Sequence, residues 1–200
     1  ELFQIWLNLP ARSKMAAPNF TMFWSEDIPR LRSLDAKGRE TELTCVAGRL
    51  PLDASLGASA GELEPLAPPP ASWAAQDDAD LAIWTVRMAP GANWTLPAAT
   101  GRGTRRMLYF FEGSSVRVAG RAIEGHAAIE LDASVDVELA NGDAASQFQV
   151  LQGRPIDEPV ARYGPFVMNS QEEIMQAMAD YRRTQFGGWP WADGAPVHGR

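Results

Sequence analysis

The side chains of this chain that could do chemistry are two histidines, one cysteine, an acidic run and a group of arginines, and their spacing limits what they can do. His126, in IEGHAAIEL, and His198, in the tail APVHGR, lie too far apart to share a metal across a hairpin. His126 therefore reads as a surface or turn residue, and His198 as an end-of-chain residue. No Ser/His/Asp set can be argued from such a pair, no G-x-G-x-x-G follows a strand, and no P-loop is present. Cys45, in TELTCVAG, has no basic neighbour that would make it a thiolate, so it reads as a small buried strand residue. Asp77, Asp78 and Asp80 are expected in a solvated loop, because no further hard ligands stand at a loop-forming spacing.

The arginines offer the sharper hypothesis. Arg102, Arg105 and Arg106 open the run RGTRRMLYFFEG, and Trp84 and Trp94 stand on neighbouring segments. Together they could line a barrel mouth that takes an anionic or aromatic small molecule through bidentate and stacking contacts. The competing reading is a set of ion-paired rim residues, since an arginine inside the protein is expected to need an Asp or Glu partner. Strand alternation groups Arg105 with Met107, Tyr109 and Phe111, and Arg106 with Leu108, Phe110 and Glu112. Either set can face the interior.

The elements that must hold these residues are mostly strands. Period-2 segments recur between turn signals: FQIWLNLP, GRETELTCVAGRL, LAIWTVRM before the turn PGAN, MLYFFEG, SVRVAG and VDVELANGD. In the second, Leu43, Cys45 and Ala47 share one face. In the last, Val135, Val137 and Leu139 are expected to point in, and Asn141-Gly142 to supply the positive φ angles of a tight hairpin before SQFQVLQG. Residues 51–80, rich in Ala, Pro, Gly and Ser, read as a surface excursion between strands. Turns every eight to twelve residues give an all-β fold of sandwich or barrel type.

The period changes near the end. In NSQEEIMQAMADYRRTQFGG, Ser170 and Glu173 form a capping box, and Ile174, Met178 and Tyr181 make a helical stripe. Arg182 and Arg183 suit the last turn, and Gly187-Gly188 are expected to stop the helix. Trp189 and Trp191 follow around Pro190 and are expected to dock on protein.

Composition closes off several classes. A globule of 200 residues buries roughly 70% of its unfolded surface, enough for a full core. The chain is 46% hydrophobic and 22% charged, and no apolar run in it approaches a membrane span. Its net charge of -7 opposes phosphate backbones, so no direct nucleic-acid binding is expected. One cysteine and no visible leader segment place the expectation in a reducing, cytoplasmic compartment.

FQIWLNLP, KMAAP, LYFFEG, LQGRPIDEPV, YGPFVMNSQEEIMQAMADYRRTQFG and GGWPW together resemble the C-terminal half of the pirin family in its bacterial branch. The resemblance implies a cupin-type jelly-roll barrel over residues 1–168, with an excursion at 51–80, a helix over 169–187 and a Trp/Pro tail at 188–200. It also implies an N-terminal cupin of the same protein, preceding Glu1, as this chain's partner. In that family cupin an Fe(II) ion is held by a pattern similar to H-P-H-R-G-F-E, a strand ending L-L-E-G and a later histidine. Laid on this sequence, the ligand positions fall on Ala99, Gly101 and Arg105, none of which binds a metal, so no cofactor is expected in this chain. The intact family member is expected to be an Fe(II)-dependent quercetin 2,3-dioxygenase-like enzyme. The alternatives are a redox-responsive regulator working through protein partners and a freestanding binding module using the arginine mouth.

Overall fold

A computed structural model describes residues 2–19, 21–52 and 61–188. Part of the expected excursion (53–60), Trp189, Trp191 and His198 lie outside the described residues. Alternating apolar positions produce the strands β1 (Arg30–Leu34), β2 (Glu40–Ala47), β3 (Leu50–Leu52), β4 (Gly61–Leu63), β5 (Ala82–Met88), β6 (Asn93–Leu96) and β7 (Arg105–Glu112). They continue with β8 (Ser115–Val118), β9 (Arg121–Glu124), β10 (Ala127–Leu131), β11 (Val137–Asn141), β12 (Ser146–Gly153), β13 (Ala161–Tyr163) and β14 (Phe166–Met168). The helix α1 (Gln171–Thr184) follows. This is the all-β class with one C-terminal helix that the pattern predicts. Among the described residues no helix is long and apolar enough to cross a membrane.

The described residues form two compact units: a barrel unit from within 23–68 and 74–155, and a helix unit from within 1–22, 69–73 and 156–188. The barrel thus ends before residue 168, and the first 22 residues cluster with the helix instead. In the barrel unit a six-stranded sheet runs β1-β2-β5-β12-β7-β10 and a four-stranded sheet runs β6-β11-β8-β9, while β3 and β4 form a separate ribbon. Both large sheets are antiparallel throughout. Each turns one face inward. Leu43 and Cys45 of β2, Trp84 and Val86 of β5, Leu108 and Phe110 of β7, and Phe148 and Val150 of β12 join one apolar core. Trp94 and Leu96 of β6, Val116 and Val118 of β8, and Val137 and Leu139 of β11 complete it. The Phe110 and Phe148 rings stack with centroids 5.0 Å apart. Burying an aromatic side chain of this size contributes about 2–3 kcal/mol of transfer free energy.

Three expectations fail for reasons of long-range pairing. FQIWLNLP forms no strand, because alternation makes a strand only where another strand pairs with it. Phe3 and Trp6 there are 43% and 64% exposed. Asn141-Gly142 makes no hairpin: neither residue has a positive φ, and β11 and β12 lie in different sheets. Asn141 is instead a buried tie, its amide donating to the carbonyls of Met88, Ala89 and Ala144. Gly142 is needed for space, since a Cβ there would stand 2.3 Å from Ser115 Oγ. Val135 precedes β11 and is exposed, so the inward face begins at Val137. Residues 61–80 are also less of a surface excursion than expected: β4 pairs with β3, and Trp73 is buried in a single 3-10 turn.

In the helix unit, Ser170 Oγ accepts from the Glu173 N–H while Glu173 Oε2 accepts from the Ser170 N–H, the expected capping box. Ile174 and Ala177 of α1 are buried with Ala161 and Met168 of the β13–β14 hairpin, and Met178 packs beside them. Tyr181 lies outside this buried stripe and touches Phe166 and Phe186 edge-on. The helix stops earlier than the glycines suggest. Gln185 and Phe186 both adopt left-handed φ angles, so Gln185 is the C-cap and Gly187 lies in a following 3-10 turn.

Candidate functional site

The start of β7 decides what the arginines do. β7 alternates outward and inward from its first residue, placing Arg105 exposed and Arg106, Leu108 and Phe110 inside. Arg106 is 1% exposed, beside an apolar core. Its Nε donates to Gln152 Oε1 at 2.8 Å, its Nη2 donates to the same oxygen, and its Nη1 donates to the Pro97 carbonyl at 2.7 Å. None of these acceptors is charged. Burial pushes the guanidinium down from its ordinary value, opposed by the carboxylates of Asp80 and Asp136. Arg106 still carries its proton, because a guanidinium does not lose it in a protein. The expectation that an inward arginine must be ion-paired is therefore corrected: here a neutral amide and a backbone carbonyl fill that role.

The loop before β7 is tied from two sides. Asp80, with a left-handed φ of 44°, accepts from the Thr100 hydroxyl at 3.1 Å, from the Gly101 N–H at 2.9 Å and from the Thr104 hydroxyl. Gln152 Nε2 donates to the Asp80 carbonyl at 3.0 Å, and the Ala98 N–H donates to Asp136 Oδ1 at 2.7 Å. Asp80 is thus a loop anchor rather than part of a solvated acidic run. Asp77 and Asp78 are exposed, and Asp78 pairs with Arg154. The sequence signal for Asp80 was weak: its partners Thr100, Gly101 and Thr104 are about twenty residues away and carry no motif.

The five residues proposed for a ligand-lined mouth do not gather. Arg102 and Arg105 are exposed, whereas Trp84 and Trp94 are 2% and 5% exposed and belong to the core. Trp84 Nε1 donates to the Gly48 carbonyl at 3.1 Å, and the Cys45 thiol donates to the same oxygen at 3.0 Å. Burial pushes the Cys45 thiol up to about 11, so it stays protonated at neutral pH. His126 is exposed between β9 and β10, its ring edge-on to Phe110 at 6.4 Å.

The residues at the implied ligand positions do not fit a metal. Ala99 has no donor side chain, and Arg105 faces away from the interior. At Gly101 a Cβ would stand 2.7 Å from Asp80 Oδ2, so even a small side chain would displace the loop anchor. Among the described residues no three His, Cys, Asp or Glu side chains are gathered as a metal site requires.

Residues 83–187 match the family described as the Pirin C-terminal cupin domain. The chain belongs to the pirin family. A Pseudomonas aeruginosa protein provisionally named a quercetin 2,3-dioxygenase is 35% identical over 181 residues, which is 90% of this chain and 57% of that protein. Mouse pirin is 29% identical over 194 residues, 92% of this chain and 56% of mouse pirin. The crystal structure of a quercetin 2,3-dioxygenase from Acinetobacter baumannii superposes with a TM-score of 0.64 at 32% identity, over 91% of this chain and 55% of that one. The chain therefore spans little more than half the length of these relatives. The pirin resemblance and the cupin-type fold read from the sequence both stand.

Proposed function

We propose that this pirin domain is a metal-free C-terminal cupin that gives architecture and an interdomain surface to an Fe(II)-bearing N-terminal cupin of the same protein. The observation that supports this reading is the interior at the head of β7, where Arg106, Gln152 and the Pro97 carbonyl occupy one another and a side chain at Gly101 would run into Asp80. Quercetin 2,3-dioxygenase-like oxidation then belongs to the longer protein, and this chain alone turns over nothing. Imidazole and carboxylate ligands suit iron because they hold it while leaving coordination positions open; that set would come from the N-terminal cupin.

Iron content per chain tests the reading, measured after Fe(II) loading on the 200-residue polypeptide and on the gene product including all residues upstream of Glu1. The expected result is about one equivalent in the longer product only. Stoichiometric iron in the short chain, or quercetin oxidation by it, would refute the proposal.

A further inference from the structure

Arg106 is a fixed positive charge in the interior of the barrel unit, and its hydrogen-bond partners are neutral oxygens. A charge removed from water costs several kcal/mol unless the surrounding structure repays it, so the site around it is built for a cation. Four chain segments converge there. Gln152 of β12 grips the guanidinium through Oε1 and the Asp80 carbonyl through Nε2. The Asp80 carboxylate holds Thr100, Gly101 and Thr104. The Pro97 carbonyl takes Arg106 Nη1, and the next residue, Ala98, is held by Asp136. Asp80 and Asp136 both act on the guanidinium through space. Oxygen donors with carboxylates behind them are the surroundings a hard cation prefers, and here a side chain supplies the cation.

We infer that Arg106 is the resident cation of this barrel: held by the Gln152 amide oxygen and the Pro97 carbonyl, it ties β12 to the loop before β7 and keeps divalent metals out. The inference rests on reading the chain as a metal-free domain, and goes further by naming the group responsible. It also explains why Arg106 turns inward when Arg105 and Arg102 do not. A side chain that only filled space could be traded for an apolar one, whereas a cation that organises its acceptors leaves them orphaned when removed.

The test is a double-substitution cycle in the full 200-residue chain, read by thermal unfolding and by hydrogen exchange of the amides at 98–104. Arg106→Met is expected to lower the melting temperature by about 10 °C and to speed exchange at Ala98 and Gly101. Gln152→Met, which keeps the charge and removes its acceptor, is expected to lower it too. The double variant should lose clearly less than the two single losses added, because neither the buried charge nor the Gln152 amide oxygen is then left without its partner, while the Pro97 and Asp80 carbonyls lose theirs in the single variants already. Where Arg106→Met fails to fold, Gln152→Met and the double variant still decide: a double variant more stable than Gln152→Met supports the inference. Additive losses, or unchanged exchange at 98–104, would overturn it while leaving the metal-free reading intact. In parallel, the unaltered chain is titrated with Mn(II) and the electron paramagnetic resonance signal of the free ion is followed. An undiminished signal is expected, and stoichiometric uptake would overturn both the inference and the reading beneath it.

Discussion

In the barrel unit Trp84, Phe110 and Phe148 are covered almost completely, whereas the helix unit covers Ile174 and Ala177 but leaves Met175 64%, Tyr181 47% and Phe186 41% exposed. The difference follows from architecture. Two sheets packed face to face supply both halves of a core, so every inward side chain meets another. A single helix on a two-stranded hairpin has one thin layer on each side and cannot cover its own apolar surface. The barrel unit therefore contains the materials of its own stability, and the helix unit leaves several of its large apolar side chains in contact with water.

Substitutions confined to one unit separate the stability of the barrel from that of the helix. Phe110→Ala, which removes one ring of the Phe110–Phe148 stack, is expected to cost about 4 kcal/mol in urea unfolding. A loss below about 1 kcal/mol would mean that the barrel is looser than its burial implies. Ile174→Ala is expected to cost about 2 kcal/mol, and hydrogen exchange should place that loss in residues 171–184 while β7 stays protected. Equal deprotection of β7 would show that the two units unfold as one. Ser170→Ala removes the capping box and should cost about 1 kcal/mol, again confined to the amides of the first helical turn.

The finest distinction is one of pH, and it belongs to the barrel unit. Asp35, whose side chain is 7% exposed, is bonded to the Arg39 guanidinium and to the backbone N–H groups of Lys37, Arg39 and Asn93. The Arg39 hydrogen bond, ahead of the backbone donors, holds its carboxyl well below the usual carboxylate range. A depressed folded value stabilises the protein above the unfolded value of about 3.9 and loses that contribution as the pH falls through the folded value. Asp35→Asn should therefore be less stable than the parent chain at pH 7 and converge with it on acidification. A gap that does not narrow at all as the pH falls below the unfolded value would assign the effect to packing rather than charge.

What could be read from sequence was local. The capping box at Ser170 and Glu173 lies within one turn, and the inward face of β2 follows from alternation alone. Asn141-Gly142 looked like a hairpin because the residue types suit one, but strand partners are chosen across sheets and not by the turn. Arg105 and Arg106 had equal claims to the interior until Gln152, 46 residues away, supplied an acceptor on one side of the strand. The opening FQIWLNLP alternates as a strand should and pairs with none among the described residues. Asp80 escaped notice because its charge looked like that of its exposed neighbours, and only the loop it anchors sets it apart.

The position of β12 in the sheet has a consequence for how the chain is made. β12 pairs with β5 on one side and β7 on the other, although it is the last strand of that sheet to be synthesised. Until Ser146–Gly153 has left the ribosome, β5 and β7 lack the strand that pairs with both of them, so each is left with an open edge. Pairings of such sequence separation put folding in the slow regime of milliseconds to seconds. A polypeptide stalled before residue 146 would expose both edges at once, and intermolecular strand pairing would compete with the arrival of the keystone.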